Sequence, residues 1–183
     1  MYHAGCMAPG GVFTKMTNPS PIPDVMRLGE LGFASVSSLL SRFGLTLESV
    51  ANGEPIPGSF WGDDEAGIIG HTVYARADTP VHSLLHEAGH LLVLPAERRG
   101  AVHTDATDSI EEEDATCYLQ VVMGNALPGV GSARIMEDMD AWGYSFRLGS
   151  TRAWFEADAE NARLWLVDRG LIDTAGSLLF PPG

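Results

Sequence analysis

Apolar residues recur at helical spacing through Val81, Leu84, Leu85, Ala88 and Leu92, so one face of this stretch is built to pack against a core. Thr79 is placed as an N-cap, Pro80 as the first helical residue and Pro95 as the stop, which predicts a helix over about 80–94. Similar periodicity predicts helices over about 33–43, 110–125, 133–142 and 152–169, with Ser109 capping the second of these and Gly44 and Gly170 ending the first and last. Two other stretches read differently. Residues 45–50 alternate, and residues 67–76 (GIIGHTVYAR) are β-branched, aromatic and roughly alternating, so each is predicted to be a strand. Turn residues punctuate 52–64, and the Pro- and Gly-rich residues 1–24 read as an irregular arm. Strands followed by a run of helices predict an α+β domain over 25–183 with a small, mostly antiparallel sheet.

Composition narrows the function classes. The chain of 183 residues is long enough for one domain with a substantial core. A net charge of −13 disfavours nucleic acid and anionic membrane surfaces as partners. No apolar run approaches the roughly 18 residues needed to span a bilayer. Only two cysteines occur, Cys6 in the arm and Cys117 in a predicted helix, so no structural disulfide is expected and Cys117 reads as a small buried hydrophobe. The opening residues have neither the charged start nor the apolar stretch of an export leader, and a cytoplasmic location is expected.

The chemistry concentrates at His86-Glu87-Ala88-Gly89-His90, an HExxH string on the predicted helix. Residues four apart project from the same side, so both imidazoles can reach one ion. Glu87 lies about 60° round the helix from His90, beside that ion rather than on it. The arrangement is that of a zinc site with a carboxylate general base, Glu87, taking a proton from water acidified by the metal. The string would arise by chance in roughly one or two chains per hundred of this composition, so its setting counts: the histidines lie opposite the apolar stripe of the same helix.

Residues 79–123 resemble the metal-binding core of the zincin metallopeptidases, most closely the gluzincins of ImmA/IrrE type, through HEAGH and the later Glu111-Glu112-Glu113-Asp114-Ala115. The resemblance implies a zincin-like fold, a peptide or protein substrate, Zn²⁺, and a third ligand from a glutamate on the following helix. Matching Glu-x-x-Ala places that ligand at Glu112, and Glu112 shares a helical phase with Ala115, Thr116, Leu119 and Met123. Glu113 and Glu111 remain alternatives, because Ser109-x-x-Glu112 is also a capping box and acidic residues favour a helix start. Thr116 departs from the acidic or amide residue that orients a ligand histidine in related enzymes, with Asp114 or Asp105 as substitutes.

Other residues carry weaker signals. His103, between the two ligand helices, is a candidate for stabilising an oxyanion, as are Tyr118 and Tyr144. His82 completes a ladder with His86 and His90, but the outer two lie about 12 Å apart along the axis, so His82 is expected behind the ligands or as a hydrogen-bonded edge residue. Asp138 and Asp140 read as a solvated helix face, and Trp142, Trp154, Phe155 and Trp165 as core. Motifs of serine hydrolases, zinc ribbons and nucleotide binding are absent. The expected function is zinc-dependent peptide hydrolysis. A metal-binding or degenerate interaction module and a hydrolase of a small amide are the alternatives.

Overall fold

The computed structural model describes residues 23–60, 62, 64–104 and 109–182. Among these, the helices are α1 (Leu28–Leu31), α2 (Phe33–Ser41), α3 (Val81–Val93), α4 (Ala96–Arg99), α5 (Ile110–Gly124), α6 (Gly131–Trp142), α7 (Thr151–Ala157) and α8 (Glu160–Asp168). The strands are β1 (Thr46–Ser49), β2 (Gly67–Ile69) and β3 (Thr72–Ala75), in the order β1-β3-β2. The α+β class holds. The sheet is mixed rather than mostly antiparallel: β1 runs parallel to β3, and β2 antiparallel to it. The single strand expected over 67–76 is a hairpin, because Gly70 at φ +60 supports a two-residue turn with His71. The arm expected over 1–24 lies, all but its last two residues, outside the described residues.

The ends of α3 follow from proline chemistry. Pro80 stands one position earlier than expected, as the N-cap in extended backbone, and the helix stops at Leu94 before Pro95. Leu84, Leu85, Ala88 and Leu91 are fully buried against the sheet side and the neighbouring helices. Ser83 fastens the helix to the chain entering β2, accepting a hydrogen bond from the Ala66 amide at 3.1 Å. On its other side α3 packs along α5, which also contacts α6 and α8 and is buried at every residue from Ala115 to Gly124. A helix so placed is surrounded by other elements, which is why its sequence is apolar nearly all round.

Contact between α3 and α5 is close because Gly89 has no side chain. A Cβ there would stand 3.0 Å from the Thr116 Cγ2 methyl, which sits on a β-branched side chain with little freedom to rotate. Gly89→Ala is therefore expected to destabilise the fold by about 1–2 kcal/mol, overpacking outweighing the gain of about 1 kcal/mol in helix propensity. Thermal unfolding checks this: the midpoint falls by several degrees, and Thr116→Ser added to Gly89→Ala restores most of the loss.

Three sequence expectations change here. Asp138 is not on a solvated face: it is 2% exposed, accepts from the Met26 amide at 3.0 Å and pairs with Arg134 at 2.7 Å. It thereby clips the start of the described chain onto α6, while the Met26 carbonyl accepts from Val81 at the start of α3. Cys117 is fully buried, as expected, but it is disulfide-bonded, against the expectation of no structural disulfide. The helix expected over 152–169 is two, α7 and α8, broken at Asp158 and Ala159. No helix among the described residues is long and apolar enough to cross a membrane.

Candidate metal centre

One turn of α3 and the first turns of α5 bring three donor side chains together. His86 and His90 leave α3 on one side, and their Nε2 atoms stand 3.1 Å apart. Ser109 caps α5 by accepting from the Glu112 amide, and this fixes the helical phase so that Glu113 points at both rings. One Glu113 carboxylate oxygen lies 3.3 Å from the His86 Nε2, and the other 3.5 Å from the His90 Nε2. Among the described residues these three are the group that could hold a metal ion. A tetrahedral ion bound at about 2.0–2.1 Å separates its donors by about 3.3 Å. The His86–His90 spacing of 3.1 Å is near that value, each ring nitrogen has a different Glu113 oxygen at 3.3 or 3.5 Å, and with one donor atom from each residue the three lie within 4.8 Å of one another. Two imidazoles and a carboxylate are also a donor set suited to zinc.

Behind the donors the polar contacts are few. Gln120, fully buried, places its Oε1 3.2 Å from the His86 Nδ1 and donates from Nε2 to the His82 carbonyl at 2.8 Å. The Tyr144 hydroxyl lies against the same amide, and its ring meets His86 edge-on at 5.9 Å between centroids. Of the two placements expected for His82, behind the ligands or as a hydrogen-bonded edge residue, the second does not hold. His82 is fully buried, has no partner for either ring nitrogen among the described residues, and sits between the rings of Trp142 (5.3 Å) and Tyr144 (5.7 Å).

Charge is distributed unevenly over the histidines. Burial disfavours the cationic form of His86, but the hydrogen bond and charge of Glu113, helped by Glu87 and Gln120, outweigh it and raise the pKa to about 9. Burial pushes His82 down to about 3, assisted by the charges of His86 and Arg27. Burial and the neighbouring His86 lower His90 to about 3 against the pull of Glu113. Burial works to raise the Glu113 carboxyl, yet its bond to His86 holds it below the ordinary value. Burial also raises the Tyr144 hydroxyl, which stays protonated and able to donate.

A pH prediction follows. His86 keeps a proton at pH 7, and a cation taking its Nε2 must displace it. Zinc uptake at pH 7 should release about one proton, measurable by calorimetry in buffers of different ionisation enthalpy. The sign is fixed by the raised pKa: apparent affinity falls as pH drops, by up to about tenfold per unit below the His86 pKa. Uptake without proton release, and with affinity flat between pH 6.5 and 8, would contradict this charge distribution.

The structure changes one member of the expected donor group. Glu112, expected to close the site, instead faces Arg98 at 3.7 Å, and Glu113 takes its place; Glu111 is exposed. The expected phase rested on the stripe Ala115, Thr116, Leu119 and Met123, but α5 is buried on all sides, so that stripe does not single out the face toward α3. That face is marked by the polar residues Glu113, Thr116 and Gln120, spaced i, i+3, i+7, the last two standing in a run that is otherwise small or apolar, a signal available in the sequence. Gln120 was the residue missed. Glu87 is partly exposed on α3, and its charge acts on both His86 and Tyr144. His103 is not in the cluster: it is exposed at the rim of β2, bridged to Ile69, with its Nδ1 on the Thr104 hydroxyl at 2.9 Å. Tyr118 lies away from the donors, stacked on Phe155 at 4.3 Å. Asp105 lies outside the described residues. No family model, curated protein or solved structure matches the chain.

Proposed function

We propose that this chain is a zinc-dependent hydrolase whose substrate is a peptide bond, with His86, His90 and Glu113 as the metal ligands and Glu87 as the general base. The observation carrying this reading is the group of three donor side chains from two helices, whose ligand atoms lie within 4.8 Å of one another, beside a carboxylate on the same turn of α3. When bound, zinc supplies a positive charge that acidifies water and polarises a carbonyl. The Glu87 carboxylate takes the proton of the attacking water and delivers it to the departing nitrogen. Tyr144, kept neutral by burial, lies against the Gln120 amide behind His86 and supports the ring from that side. The zincin-like identity of the fold belongs to the same proposal, and the Cys117 disulfide argues against the expected cytoplasmic location.

The sheet edge supports a second reading of the substrate. An extended substrate finds no free edge along β2, because the outer side of β2 is filled by the chain itself. Gly58 accepts from Ile68, Thr104 donates to Ile68 at 3.1 Å, and Gly70 donates to Val102 at 3.0 Å. A small amide needs no such edge. Digestion of a mixed peptide library by the zinc-loaded protein separates the readings. Chelator-sensitive cleavage restored by zinc supports the peptidase; intact peptides alongside chelator-sensitive turnover of small amides support the alternative. Loss of both with zinc bound would overturn the hydrolase.

A further inference from the structure

A buried amide needs a reason to be where it is, because each unpaired polar atom there costs about 1–3 kcal/mol. Gln120 is fully buried on α5, seven residues after Glu113 and facing α3. Its orientation is dictated by chemistry. The His82 carbonyl oxygen can only accept, so the amide atom 2.8 Å from it is the NH₂ group, and the carbonyl end of the amide is turned to the His86 Nδ1. An amide oxygen can only accept in turn, so the His86 Nδ1 carries a hydrogen and its Nε2 is the atom left facing His90 and Glu113.

We infer that Gln120 is a positioning residue that sets the tautomer and ring angle of His86 and so makes it the anchoring ligand of the metal centre. This rests on the metal reading above. His90 provides the contrast: its Nδ1 is buried with no partner among the described residues, so nothing behind that ring fixes its tautomer. The two histidines of one motif are therefore inequivalent, one held from behind by α5 and the other held by the cation and the Glu113 carboxylate. The acceptor is also neutral. A carboxylate in this position would make the imidazole more basic and grip the metal more tightly, whereas an amide leaves more of the cation's charge available to water and substrate.

The test compares zinc affinity, by competition with a chromophoric chelator, in the full-length chain and in Gln120→Met and Gln120→Glu, each confirmed folded by circular dichroism. Met fills the space but accepts nothing; Glu keeps an acceptor toward His86 and loses the donor toward the His82 carbonyl. The expected result is a loss of about 10–100-fold for Gln120→Met and an affinity equal to or tighter than that of the wild type for Gln120→Glu. Equal losses in both would make Gln120 a clamp between helices and overturn the inference, as would unchanged affinity in Gln120→Met. Long-range ¹⁵N spectra of the zinc-loaded wild type give a reading that needs no variant: a hydrogen on the His86 Nδ1 supports the inference, and metal on Nδ1 overturns it. A wild-type chain that takes up no zinc refutes the metal reading itself, and this inference with it.

Discussion

Glu87→Gln is expected to lower the rate of hydrolysis by about 10²–10⁴-fold while zinc stays bound at wild-type stoichiometry. That range corresponds to about 3–5 kcal/mol of barrier, what a positioned general base contributes. The substitution keeps the shape of the side chain and removes its basicity. Glu87 is not among the three donors, so the metal should remain. Its charge reaches His86 and Tyr144, and removing it should also lower the His86 pKa and ease proton displacement slightly. Steady-state rates with zinc quantified in the same samples check this. A variant that keeps its activity refutes the role of Glu87. One that loses its zinc would instead make Glu87 part of the metal shell.

The second large effect separates two adjacent glutamates. Glu113→Ala removes a carboxylate that stands 3.3 and 3.5 Å from the two imidazoles, and zinc affinity should fall by more than the 10–100-fold cost of losing an outer-shell partner. Glu112→Ala removes a carboxylate that faces Arg98 and is not one of the three donors, and should change affinity by less than about threefold. Activity should follow zinc occupancy in both. The reverse order of effects would restore Glu112 as the ligand and show the phase of α5 to be wrong by one residue.

Part of the candidate site was legible in the sequence. That His86 and His90 share one side of a helix was readable because residues four apart need only local geometry to meet, and the proline signals around 80 and 95 fix that helix. The third ligand was harder, because it depends on how α5 is rotated against α3. Apolar periodicity reports rotation only when one side of a helix faces solvent, and α5 has no such side after Glu113. Gln120 and Thr116 were the informative residues: polar groups in a buried helix are expensive, so they point to a specific neighbour. In the sheet, the turn at Gly70 was hidden by the β-branched residues around it, and the parallel pairing of β1 with β3 has no local signature. The burial of Asp138 was likewise invisible, since its partner Met26 is 112 residues away.

The most direct measurement is anomalous diffraction at the zinc absorption edge from crystals of the zinc-loaded protein. The account predicts one strong peak within about 2.0–2.2 Å of the Nε2 atoms of His86 and His90 and of a Glu113 carboxylate oxygen, with Glu87 beside it. No peak between those side chains, or zinc held elsewhere while the two rings turn apart, would contradict it.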